Sequence, residues 1–338
     1  MAKLEADGIN GATLLGFLAA VGSLRLLAEK YPSAKLWFDP DGDRARLSVG
    51  ELDSEDAIVS LISARYFSAE RIEELNLLGA AEMPKSISNE DNAENIPNVL
   101  QLAERASAEP NLTMWSFVAG VLCDGLTKKK DEQLSAETTL CAANGASHQK
   151  MFQTIRDLGN LEFENGTVRY TSPPLVTQEH LRVTLTDIWK FADTVPADAV
   201  GGEGWMGNRK PTLRWDESAE RLHALRLHEP TADPEVFATQ LGAYALATAA
   251  LACFVTFPVR GGGITAFTRR HDASELIFHW PLWDVPMSLA TFLATHASGE
   301  ALQKRADARL RGVYRLMSIR RMTQDKGKLT FQSPEAVW

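Results

Sequence analysis

Cysteine is scarce in this 338-residue chain, with only Cys123, Cys141 and Cys253. An odd number of cysteines, far apart, makes no disulfide framework and no Cys-x-x-Cys zinc pair. The chain therefore fits a reducing, cytoplasmic setting. Charged residues make up 23% and hydrophobic residues 45%, which excludes a disordered chain and indicates a folded globular one. A long apolar run is also missing. The best membrane candidate, residues 241–257, is interrupted by Thr248 and Thr256. At about 17 residues it is marginal for a bilayer span, so it reads as a buried core helix and no membrane partner is expected. The opening residues hold Lys3, Glu5 and Asp7 and lack the basic start and cleavage site of a secretory signal.

Catalytic signatures are thin as well. There is no Gly-x-Ser-x-Gly elbow, no Walker phosphate loop and no His-Glu-x-x-His. His271-Asp272 is the dipeptide of metal-dependent HD phosphohydrolases, which need further ligands to hold metal and activate water. The remaining histidines, His148, His180, His223, His228, His279 and His296, show no ligand spacing. A hydrolase is the weakest reading. The expectation is a chain that is not an enzyme, with no metal and no cofactor.

What is present is charge sorted by position. Residues 301–338 hold nine basic residues (Lys304, Arg305, Arg309, Arg311, Arg315, Arg320, Arg321, Lys326 and Lys328) against Asp307, Asp325 and Glu335. That is a net +6 on a chain whose total is −9, which leaves −15 on residues 1–300. A polyanion would be drawn to one end and repelled by the other. The plainer alternative is a solvated basic face, or one that docks on an acidic protein. With a pI near 5.4, any nucleic-acid contact has to be local.

The pattern along the chain predicts an α+β protein. Its N-terminal part is mostly helical with a small β-hairpin, and its C-terminal part is smaller and mixed. Residues 12–30 form a helix that is apolar almost all round and hence buried. Gly16, Ala19, Ala20 and Gly22 leave one side thin enough for another backbone. Residues 35–38 and 44–49 form a hairpin across Asp39-Pro40-Asp41-Gly42-Asp43. Helices are expected over 53–78, 99–108, 114–126, 149–158 and 178–191, with a polar loop at 81–97. The glycines of 197–210 mark a boundary, giving domains 1–200 and 211–338. Beyond it come short strands at 212–216 and 223–228, a long buried helix at 234–257, strands at 265–268 and 276–280, and helices at 287–295 and 299–310. A final hairpin, 313–322 with 328–331, turns at Asp325-Lys326-Gly327.

Three other places offer candidate chemistry. Arg260-Gly261-Gly262-Gly263, followed by Arg269-Arg270, offers backbone N–H groups and guanidinium forks to a phosphate, or is a flexible connection. Lys128-Lys129-Lys130 reads first as neutralising a helix C-terminus. The junction from Asn144 to Lys150 caps a helix or offers donors to a phosphate. Trp189, Trp215, Trp280 and Trp283 sit among apolar neighbours and read as core.

Several blocks together resemble a known group. Asn10-Gly11, then Leu15-Gly16-Phe17-Leu18-Ala19-Ala20-Val21-Gly22-Ser23-Leu24-Arg25, is similar to the opening of large-subunit proteins of the type I-U/I-G CRISPR effector, Cascade. Residues 149–158, Leu213-Arg214-Trp215-Asp216, Trp280-Pro281-Leu282-Trp283 with Pro286, and Arg315 to Arg321 with Lys326-Gly327-Lys328 and Phe331 agree in order. The glycine-rich segment 197–210 has no counterpart in that pattern. The resemblance implies a non-catalytic subunit of a crRNA-guided ribonucleoprotein. Its partners would be crRNA, target DNA, sister subunits and a helicase–nuclease. Its role would be to help read the protospacer-adjacent motif and open the duplex, base pairing doing the rest. No motif of the family carries residue roles to numbered positions. On charge alone, the expected nucleic-acid contacts are Arg309, Arg311, Arg315, Arg320, Arg321, Lys326 and Lys328, with Arg260, Arg269 and Arg270 as a second set. The rival is a scaffold whose basic end touches only protein.

Overall fold

The computed structural model describes residues 2–66, 215, 241–250, 253–254, 256–259, 262–265, 268–270, 276–298, 302–323 and 329–338. Helices and antiparallel sheets both occur in it. The expected helices within 99–191, the loop at 81–97, the strand at 223–228 and the boundary at 197–210 lie outside the described residues, as does all of 212–216 except Trp215.

The chain opens with a strand the sequence reading passed over, β1 (Ala2–Asn10). Ala2, Leu4 and Ala6 are buried while Lys3, Glu5 and Asp7 are exposed, the two-residue alternation of a half-buried strand. Helix α1 (Leu14–Ala28) follows. Thr13 caps it, its hydroxyl accepting from the Gly16 amide at 3.1 Å, and Asn10 holds the turn before it through the Ala12 amide at 2.9 Å. Strands β2 (Lys35–Asp39) and β3 (Arg44–Val49) form the expected hairpin. Helix α2 (Glu55–Tyr66) lies within the expected 53–78.

The long buried helix expected over 234–257 is corrected. Its middle is helix α3 (Leu241–Ala250), residues 234–240 lie outside the described residues, and at its far end Thr256 and Phe257 belong to a strand. β4 (Thr256–Val259) pairs with β5 (Gly262–Thr265). Threonine, phenylalanine and valine favour a pleated strand over a continued helix. β6 (Thr268–Arg270) and β7 (Leu276–Trp283) come next. β8 (Met287–Ser288) then pairs with β2, so helix α4 starts at Leu289 and runs to Ala297. The basic helix expected over 299–310 is also corrected. Leu302 and Gln303 are helical, but Lys304 has extended backbone and interrupts the run before α5 (Arg305–Arg309), while 299–301 lie outside the described residues. The chain closes with β9 (Val313–Thr323), β10 (Leu329–Phe331) and β11 (Glu335–Ala336).

One sheet has the order β1-β3-β2-β8. A second has β10-β9-β7-β6, with β11 also on β9. The chain divides into two compact units. One takes Met1–Ser68, Asp187–Ala250 and Arg269–Trp338, and the other takes Ala69–Thr186 and Leu251–Thr268. This division differs from the expected domains 1–200 and 211–338 in that the first and last stretches of the chain share a unit. Within the second unit the described structure is the β4–β5 hairpin with Cys253 and Phe254, both buried.

Aromatic packing explains why the two ends of the chain meet. The indole N–H of Trp280 donates to the Gly11 carbonyl at 2.8 Å, and that of Trp283 to the Leu36 carbonyl at 2.6 Å. Phe17 lies 5.8 Å from Trp280 and 6.2 Å from Phe292, and Phe38 lies 5.0 Å from Trp283. Such pairs contribute about 0.5–1.5 kcal/mol each beyond area burial. Trp215 is buried on Tyr244 of α3, whose hydroxyl accepts from the Trp215 amide at 3.0 Å. Three of the four tryptophans read as core are thus core; Trp189 lies outside the described residues.

Candidate nucleic-acid interface

The basic end of the chain is presented by a short helix, a turn and a long strand. Lys304, Arg305, Arg309 and Arg311 are all exposed, while Asp307 is half-buried. Among the described residues none of these four cations has a carboxylate within ion-pair distance. The turn after α5 is held by its own backbone. The Leu310 amide donates to the Ala306 carbonyl at 3.3 Å, Arg311 to Ala308 at 2.9 Å, and Gly312 to Arg309 at 3.0 Å. Gly312 has φ +76°, a conformation glycine adopts without steric cost. Its carbonyl accepts from the Asp284 amide at 3.1 Å.

Arg315 has another occupation. Its guanidinium pairs with the Asp43 carboxylate. The Tyr314 hydroxyl donates to the other oxygen of Asp43 at 2.8 Å. Asp43 sits at φ 54°, and its own carbonyl accepts from the Gly11 amide at 2.7 Å. Burial first, and then the hydrogen bond to Asp43, pushes the Tyr314 phenol up, so it stays neutral. A bulge between Leu282 and Trp283 leaves Tyr314 without a partner across the ladder. Bulges re-aim side chains in this way, and here the re-aimed side chain reaches Asp43. Arg315 is therefore corrected from an available phosphate contact to a member of a structural cluster.

The other expected contacts are spread along the sheet. Arg320 is opposite Ile277, and Arg321 is opposite Leu276 on one side and Phe331 on the other. Adjacent strand positions belong to opposite faces, so Arg320 and Arg321 do not share one. Arg320 is half-buried and is not free of partners. Arg269 and Arg270 lie in β6, beside β7. Arg260, Lys326 and Lys328 lie outside the described residues, as do Lys128 to Lys130, the Asn144 to Lys150 junction and His271-Asp272. Gly262 and Gly263 are strand residues opposite Val259 and Pro258, which corrects the flexible-connection reading of the glycine run. Of the expected contacts, the structure brings together Arg309 and Arg311 in one exposed turn. It adds Lys304 and Arg305, which the sequence reading counted in the charge without assigning them a contact.

Among the described residues no group of three or more His, Cys, Asp or Glu is placed to hold a metal ion, and no helix is long and apolar enough to cross a membrane. Sequence reasoning missed Asp43, Tyr314 and Leu310. An Asp at the end of a Gly-containing turn was the available signal for the first. No protein-family model matches the chain, and no curated protein matches it.

Proposed function

We propose that this chain is a non-catalytic, nucleic-acid-binding subunit of a crRNA-guided, DNA-targeting ribonucleoprotein, with guide and target strands as its ligands and sister subunits as neighbours. The observation that carries the reading is the run of exposed cations Lys304, Arg305, Arg309 and Arg311 on a chain that is otherwise acidic. The sequence blocks similar to Cascade large subunits supply the assembly, the motif-reading role and the helicase–nuclease partner. The protein's contribution is electrostatic: it holds backbones while base pairing reads sequence.

The test is titration of the purified full-length chain against a labelled oligonucleotide over a range of salt. With about four phosphates neutralised, log affinity falls against log salt with a slope near −3 to −4. Replacing Arg309 and Arg311 by Glu weakens binding for all sequences alike and flattens the slope by about 2, with the melting temperature unchanged. Affinity that ignores both salt and this double variant rejects the reading. Lysine crosslinks to protein alone, with no nucleic-acid adducts, would then favour the scaffold.

A further inference from the structure

At the centre of the basic turn sits an apolar side chain. Leu310 is 88% exposed, the most exposed of the large hydrophobic residues among those described. It lies between Arg309 and Arg311, both exposed. A lone surface leucine needs no explanation, but three features set this one apart. The backbone hydrogen bonds of Leu310, Arg311 and Gly312 hold the turn on α5, and that of Asp284 holds it against the loop after β7. Gly312 packs so closely on Val285 that a Cβ there would overlap the valine side chain, and Val285 is itself 43% exposed. Exposed apolar surface is thus presented on a fixed support among cations that have no ion-pair partner among the described residues.

Resting on the nucleic-acid reading above, we propose that the Arg309–Leu310–Arg311 turn discriminates single-stranded from duplex nucleic acid. Leu310 covers an unpaired base while the flanking guanidiniums hold phosphates. The argument is one of complementary surfaces. A duplex backbone offers charge but almost no apolar surface, because its base faces are stacked on one another. A single strand offers the same charge together with open base faces, which reward contact without regard to sequence. A purely electrostatic site would gain nothing from a leucine at its centre, since phosphates reward only the arginines.

The experiment compares the affinities of full-length protein for oligothymidylate and for a blunt duplex of the same length at one salt concentration. Wild type binds the single strand more tightly. Leu310→Ala lowers single-strand affinity about fivefold to tenfold, the loss expected from partial burial of one leucine side chain. It leaves duplex affinity and both salt slopes unchanged, because no charge has moved. Leu310→Phe keeps or strengthens the preference, since an aromatic face stacks better on a base. Equal wild-type affinity for the two oligonucleotides overturns the inference, as does an equal loss, or no loss, on both in Leu310→Ala. If the Arg309→Glu, Arg311→Glu variant loses both oligonucleotides while Leu310→Ala loses neither, this inference falls and the nucleic-acid reading stands. If wild type binds neither, both fall. A protein that co-purifies with wild type and is lost from Leu310→Ala, with oligonucleotide affinities intact, assigns the tip to a protein groove and also overturns it.

Discussion

Asp43 shows how much one residue of a turn can hold. Its backbone takes a left-handed conformation that asparagine and aspartate tolerate better than most residues. Its carboxylate holds Tyr314 and Arg315, and its carbonyl holds Gly11. Asp43→Ala loses the side-chain contacts and strains the turn, at a cost of about 3 kcal/mol. Asp43→Asn keeps the conformation and an acceptor for Tyr314, and costs about 1 kcal/mol because Arg315 is partly open to solvent. Urea unfolding midpoints separate the two. His296 gives a second prediction. It is buried beside Phe278 and Phe292, and burial pushes its imidazole down from 6.5 to about 3. The folded protein keeps this ring neutral while the unfolded chain takes up a proton below 6.5. Its stabilising effect is full above that pH and is lost as pH falls toward 3. Between pH 6.5 and 5 the loss from this residue is about 2 kcal/mol. His296→Gln, which does not titrate, shows a correspondingly smaller drop in unfolding free energy between pH 7 and pH 5.

At the scale of elements, the contact between α1 and α3 depends on small side chains. A Cβ on Gly22 would overlap the Leu246 carbonyl oxygen. Gly22→Ala gains about 1 kcal/mol of helix propensity, but forces two backbones apart at a cost of about 2–4 kcal/mol. The net outcome is a lower melting temperature, measurable by circular dichroism. Beside Gly22, Arg25 is buried in α1 and donates to the Ala249 carbonyl at 3.1 Å, near the C-terminus of α3, where a cation is favoured. Glu29 joins the arrangement, 3.5 Å from Arg25 and 2.7 Å from Arg65 of α2. The thin side of α1 was legible in Gly16, Ala19, Ala20 and Gly22. The helix that would use it was legible only as an apolar run, because such a run has no periodicity to show where it stops. Strand β1 was not read from the sequence, although Ala2, Leu4 and Ala6 alternate there with charged neighbours.

At the scale of the whole molecule, the sorting of charge along the chain is the property on which the proposed function rests. The salt dependence proposed above belongs here: residues 1–300, with their net charge of −15, repel a polyanion that the 304–311 segment attracts, so the loss of Arg309 and Arg311 leaves that repulsion unopposed. Raising ionic strength weakens attraction and repulsion together. The charge-reversal variant therefore differs most from wild type at low salt and approaches it as salt rises, in titrations of the same oligonucleotide.

The amino-acid order by itself determined the apolar helix α1, the hairpin of β2 and β3, the closing pair of β9 and β10, and the excess of cations after residue 300. All of these are local: they follow from periodicity, turn residues and composition. Tertiary structure alone decided which of those cations are available. Arg315 and Arg309 look alike in the chain, yet one meets a carboxylate from a turn 272 residues away and the other stands in solvent. It also decided that the two ends of the chain share one unit, because Trp280 and Trp283 find their carbonyl partners on Gly11 and Leu36. Partners that distant in sequence are chosen by packing and by the need to satisfy buried polar groups, and neither leaves a mark on the residues nearby.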